Sequence, residues 1–171
     1  REGISVQSTL VKSKNISSCD VSVKGEKLEH YWSKVMTVGR AFDCLRADLQ
    51  QQLKEAVNEI GFKYIRFHGI FSDEMRVIRP SSNGEYEFNW IYVDKVINFF
   101  KHLNLKPFFD FTFMPKELAS SQNTVFWYKG NISKPKDLKA WTKLIDSFIS
   151  HCINRYGIEE VRLWYFEIWN E

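Results

Sequence analysis

Hydrophobic and polar positions along this chain follow two periods. Leu45, Leu49, Leu53, Ala56, Val57 and Ile60 recur at spacings of three and four, which predicts a helix over about 44–60 with Gly61 as its C-cap. Ile91, Val93, Val96, Ile97, Phe99 and Phe100 mark a second helix, from Asn89 or just after it to about Leu103. Trp141, Leu144, Ile145, Phe148, Ile149 and Cys152 mark a third, opened by Pro135-Lys136-Asp137 and stopped by Gly157. Between the helices lie short, nearly continuous apolar runs, as expected of strands covered on both faces. They are 35–39, 63–69, 105–113 and a last run that begins near Glu160 and closes on Trp164-Tyr165-Phe166-Glu167-Ile168-Trp169-Asn170-Glu171.

The order is therefore β-α-β-α-β-α-β, which predicts an α/β fold with a parallel sheet and right-handed crossovers. An open doubly wound sheet and a βα barrel both fit. The first strand-to-helix turn has no GxGxxG and the chain has no GxxxxGK[ST], so the usual nucleotide sites lose support. Four strands with three helices make half of an eight-stranded (β/α)8 TIM barrel. Residues 1–18 are polar and read as a linker or a strand from a neighbouring domain, leaving 19–171 as the half barrel. Residues 19–23 alternate like a short strand, and 85–88 read as a brief hairpin arm. Residues 114–135 show no period and carry Phe126, Trp127 and Tyr128; a loop of that length in a compact domain is commonly functional.

Composition narrows the classes. The net charge of +3 is scattered, and the densest basic stretch, 134–143, alternates with apolar residues like the solvated side of a helix, not like a nucleic-acid face. No apolar run reaches the ~20 residues of a membrane span. Cys19, Cys44 and Cys152 lie far apart without metal spacing and read as reduced thiols of a cytoplasmic protein. The sequons at Asn15 and Asn131 then read as chance matches, although a removed secretory signal stays open because the chain starts at Arg1.

Candidate chemistry gathers at predicted strand ends. Glu171 follows Asn170 at the end of an apolar strand, where a partly buried carboxyl can hold a proton as a general acid; the bland alternative is a helix cap or a partner for an Arg. Asn170 suits a substrate hydroxyl. His68, just before Gly69, is either a hydroxyl ligand at the same mouth or a satisfied core histidine. Arg66 reads as a structural partner of Glu167, Arg40 as an orienter of carboxylates, and Asp110 as similar to them. Phe113, Phe126, Trp127 and Tyr128 suit stacking on sugar faces or ordinary packing, and His30 and Trp32 are candidates for the same mouth. No nucleophile-base pair or metal-ligand cluster stands out, and no cofactor is expected. Ordinary glycosidase chemistry needs two carboxylates, and this chain offers one well-placed candidate.

The closing run from Trp164 to Glu171 resembles the fourth barrel strand of retaining glycosidases that carry their acid/base in an Asn-Glu pair. Together with His30-Tyr31-Trp32, Val38-Gly39-Arg40-Ala41, Phe62-Lys63-Tyr64-Ile65-Arg66-Phe67-His68-Gly69 and Phe111-Thr112-Phe113-Met114-Pro115, it resembles glycoside hydrolase family 39, the β-xylosidase and α-L-iduronidase family, nearer the bacterial β-xylosidases. The resemblance runs from about residue 19 to the end. It implies a TIM barrel and a two-step retaining mechanism, with Glu171 as acid/base, Asn170 on the sugar 2-hydroxyl, His68 as a sugar ligand and Phe113 or its neighbours as an aromatic wall. The family nucleophile is a Glu after the seventh strand, and no residue of this sequence takes that place. A xylose-type saccharide is the implied partner. Absence of turnover by the 171 residues alone and self-association through open half-barrel edges are expected. A second reading is the sugar-sensing or dimerising module found fused to AraC-type transcription regulators, with DNA bound only through a domain outside these residues.

Overall fold

A computed structural model describes residues 17–81 and 85–170. Its elements are β1 (Val35–Arg40), α1 (Ala47–Ile60), β2 (Tyr64–His68), β3 (Ile78–Pro80), β4 (Tyr86–Phe88), α2 (Ile91–His102), β5 (Lys106–Asp110), β6 (Thr124–Val125), β7 (Gly130–Asn131), α3 (Leu138–Tyr156), α4 (Ile158–Val161) and β8 (Tyr165–Glu167). The main sheet runs β1-β2-β5-β8, all parallel. Spatial order equals chain order. A doubly wound sheet reverses direction at its switch point, whereas a barrel adds each new strand at the same advancing edge. Right-handed crossovers that all advance one way put every helix on one face. The architecture is a partial parallel α/β sheet of the kind that begins a (β/α)8 barrel.

The helices form where the apolar stripes predicted them. Gly61 ends α1 in the left-handed region at φ 80°, and its N–H donates to the Val57 carbonyl. Asp137 caps α3 by accepting the Lys139 N–H at 2.9 Å. The stripes meet the sheet's outer face in one core. Phe109 packs on Phe166 in a parallel stack at 5.4 Å and on Phe148 of α3 edge-on at 5.1 Å, while Phe67 meets Phe100 of α2 at 5.2 Å. Each fully buried ring is worth about 1.5–3 kcal/mol of transfer free energy.

Several expectations change. The strands are covered on one face only: Ile65, Phe67 and Phe109 point to the helices and are fully buried, while Tyr165 on the other face is 52% exposed. The described residues supply no second layer there. The third strand stops at Asp110 and not at Phe113, because Thr112 turns back onto the Asp110 carboxylate. The last strand starts at Tyr165 and not near Glu160, since 158–161 form a helical turn that leads into Trp164. The first helix starts at Ala47 after a separate turn at Asp43–Leu45, because Arg46 is extended at ψ 132°. Residues 19–23 are no strand; Asp20 accepts both the N–H and the hydroxyl of Ser22 in an exposed turn. The expected arm at 85–88 is real, with β4 pairing antiparallel to β3. The linker expected over 1–18 lies almost wholly outside the described residues.

Candidate active site

The register of the sheet brings the chemistry level. His68 lies opposite Asp110, and Asp110 opposite Glu167, at the C-terminal ends of β2, β5 and β8. That edge is where βα barrels carry their sites. Below it Arg66 lies across the strands. Its Nε and Nη2 donate to Glu167 Oε2 at 3.0 and 2.7 Å, and Nη2 also donates to Asp110 Oδ2 at 3.0 Å. The structural partnership expected for Arg66 and Glu167 is present, and Asp110 joins it.

Above the edge the chain turns through Thr112. Its N–H and its hydroxyl donate to Asp110 Oδ1 at 3.0 and 2.5 Å. Its Oγ1 accepts the Asn170 N–H at 3.0 Å, and its carbonyl accepts the Gly69 N–H at 2.5 Å. One residue thus ties together the ends of three strands. Asp110 and Thr112 are 2% and 4% exposed, so water does not substitute for these bonds.

An aromatic wall stands over this floor. The Phe113 ring meets His68 edge-on at 5.6 Å, and Tyr128 stacks on His68 at 6.1 Å with its hydroxyl 3.4 Å from Nε2. Phe126 approaches Phe113 at 6.1 Å. The Phe113 ring lies flat against Gly130 of β7: a Cβ there would fall 2.7 Å from Phe113 Cδ2. Arg40 braces the wall from behind. Its guanidinium sits 4.7 Å from the ring centres of both Trp127 and Tyr128, and it donates to both oxygens of Glu74 at 2.8 and 2.7 Å and to the Asp43 carboxylate. Burial holds the His68 imidazole below its ordinary pKa, with Asp110 opposing and the Arg40 and Arg66 charges adding to the depression. A neutral imidazole both donates and accepts a hydrogen bond.

The result is a cleft of about 690 Å³ lined by His68, Asp110, Phe113, Tyr128, Trp169 and Asn170 among others. The structure therefore brings together three of the site residues named from sequence, His68, Phe113 and Asn170. Glu171 lies outside the described residues and follows Asn170 directly in the chain. Trp127, 80% exposed, serves as a brace for Arg40 and is not a wall of the cleft. Tyr31 and Trp32 form an exposed turn just before the start of β1, at the opposite end of the sheet, so the mouth proposed for His30 and Trp32 is not where they sit. Sequence reading missed Thr112, Trp169 and Gly130. A signal for Thr112 existed: a hydroxyl residue after Asp-x folds back readily onto the carboxylate. Among the described residues no cluster of acidic, His or Cys side chains fits a metal ion, and no helix is long and apolar enough to cross a membrane.

A parallel sheet wound in chain order, with an aromatic and polar cleft at its C-terminal edge, is the opening part of a βα barrel with its site where such barrels carry one. The chain belongs to glycosyl hydrolases family 39, whose family model matches residues 18–171. It is 43% identical over 145 residues to a β-xylosidase of Caldicellulosiruptor saccharolyticus and 44% identical over 149 residues to a β-xylosidase of Geobacillus stearothermophilus, in each case over 85% of this chain and 30% of the relative. A monomeric β-xylosidase from Caulobacter crescentus superposes with a TM-score of 0.78 at 40% identity, covering 81% of this chain and 28% of that one. The chain thus spans about 30% of the length of the curated β-xylosidases it matches, and it corresponds to their N-terminal part.

Proposed function

We propose that this chain supplies the acid/base side of the active site of a retaining, β-xylosidase-like glycoside hydrolase that acts on xylosides or related glycosides. The observation that carries the reading is one cleft holding Asn170, His68 and the Phe113 wall, with Glu171 the next residue after Asn170. The apolar Phe113 face suits the C–H face of a sugar, while the neutral His68 and the Asn170 amide offer donors and acceptors to its hydroxyls.

In the first step a carboxylate from outside these 171 residues attacks the anomeric carbon, and Glu171 gives its proton to the departing oxygen. In the second, Glu171 takes a proton from water as water displaces the enzyme carboxylate and regenerates it. Asn170 binds the 2-hydroxyl beside the reacting carbon. The 171 residues alone supply one of the two carboxyls, so they bind a xylose-type saccharide without turnover. The inner face of β1-β2-β5-β8, with Tyr165 half exposed, drives self-association of the isolated polypeptide. The free thiols Cys19, Cys44 and Cys152 fit the reducing interior of a cell, so a cytoplasmic location belongs to this reading.

The test is hydrolysis of aryl β-xylosides by the full-length protein and its Glu171→Gln variant. Turnover by the parent, with a large loss of kcat/KM in the variant on poor leaving groups and a small one on good ones, supports the assignment. Saccharide binding by an inert parent overturns the hydrolase reading.

A further inference from the structure

We infer that Thr112, held by Asp110, is a positioning residue for the acid/base: its hydroxyl grips the Asn170 backbone one peptide bond before Glu171. The inference rests on the assignment of Glu171 above. Pairing between β5 and β8 ends with Asp110 opposite Glu167 and the Phe111 N–H donating to the Glu167 carbonyl at 3.0 Å. Past that point no backbone carbonyl of β5 reaches Asn170. Thr112 Oγ1 fills the place of one, accepting the Asn170 N–H at 3.0 Å.

The hydroxyl is set up to accept. Its own proton is committed to Asp110 Oδ1 at 2.5 Å, which polarises the oxygen and fixes its lone pairs. Asp110 is fixed in turn by the Thr112 N–H on Oδ1 and by Arg66 Nη2 on Oδ2, both at 3.0 Å. A chain of bonds therefore runs from Arg66 through Asp110 and Thr112 to Asn170, crossing β2, β5 and the end of β8. Asp110 carries three donors in a 2% exposed site, which makes it a holding group. A general acid must sit within hydrogen-bond reach of the departing oxygen, and a shift of about 1 Å costs on the order of 10²-fold in rate.

The experiment uses the full-length protein, with phenyl β-xyloside as the poor leaving group and dinitrophenyl β-xyloside as the good one. Thr112→Val keeps the shape and removes the hydroxyl; Thr112→Ser keeps the hydroxyl. Thr112→Val is expected to lose roughly 10–100-fold in kcat/KM on the phenyl substrate and less than about threefold in kcat/KM on the dinitrophenyl one, the ratio that reports the step in which Glu171 acts as acid. Thr112→Ser is expected to return within about threefold of wild type on both. Hydrogen exchange at the Asn170 amide should speed up in Val and not in Ser. Equal losses on both substrates, a Ser variant as impaired as Val, or an unchanged Asn170 amide overturns the inference. Should Val not fold, Thr112→Ala carries the same readouts. Glu171→Gln in parallel separates the two claims: if it keeps wild-type rates on the phenyl substrate, the Glu171 assignment fails and the role of Thr112 in positioning an acid/base fails with it, while the Asn170 amide still reports whether Thr112 holds the strand end.

Discussion

Arg66 and Glu167 stand 101 residues apart in the chain and meet at 2.7 Å, across a β5 strand that lies between theirs. The guanidinium reaches over β5 and takes Asp110 with it, so one cation holds two carboxylates on adjacent strands. Removing it leaves the Asp110 side chain, 3% exposed, without its cation. Arg66→Met is expected to cost roughly 2–4 kcal/mol. Glu167→Gln, which is more exposed and keeps an acceptor, should cost about 1 kcal/mol. Urea unfolding of both variants checks the order; equal losses would mean that Asp110 does not depend on Arg66.

His68 makes the site sensitive to acid. Burial lowers its pKa below the unfolded value of 6.5, so at intermediate pH the unfolded chain binds the extra proton. Stability from the neutral imidazole is complete above the unfolded value and is lost as pH falls from there through the lowered folded one. An NMR titration should place the His68 midpoint below 6.5, the ordinary value. His68→Gln should flatten this part of the acid limb in a stability-pH profile.

Gly130 sets the position of the Phe113 ring. A methyl there would overlap the ring, with distances of 2.7 to 2.9 Å to three ring carbons. Gly130→Ala is expected to push Phe113 toward the cleft and cost about 1–3 kcal/mol in stability. Xylose binding, followed by calorimetry, should weaken together with it. Gly25, which has open space around it, serves as the control: Gly25→Ala should change neither.

The thiols should react unequally. Burial pushes Cys44 and Cys152 up to about 12, with Asp43 and Asp94 adding to the effect, whereas Cys19 is exposed. Mass spectrometry after brief iodoacetamide treatment of the native protein should find label on Cys19 alone. All three should be labelled after unfolding in urea.

The isolated 171-residue polypeptide should give no detectable hydrolysis of dinitrophenyl β-xyloside. Light scattering should show a mass above 20.3 kDa that rises with concentration. A clean monomer throughout would remove the self-association proposal.

Much of the architecture was legible because local and global signals agree. The stripes of α1, α2 and α3 each read at helical period, and the helices pack as those stripes require. Strand ends were harder to read. Phe111 and Phe113 look like strand residues by composition, yet the Asp110 carboxylate bends the chain at Thr112. Likewise the apolar Val161 and Leu163 belong to a helical turn and its exit, not to a strand. In the candidate site, His68, Phe113 and Asn170 were visible as chemistry at strand ends. Thr112 carried a local signal in its spacing from Asp110, but its bond to Asn170, 58 residues on, and the close approach of Gly130 to Phe113 exist only in the folded chain.

Periodicity was enough to dictate the alternation of strands and helices and the side of each helix that is buried. These follow from local sterics and from the removal of apolar surface from water, both of which leave a pattern in the order of residues. The parallel register that levels His68, Asp110 and Glu167, the Arg66 bridge and the Thr112 bond to Asn170 required the folded chain. Hydrogen bonds act over about 3 Å, and no pattern along one strand shows which atom of another will come that close.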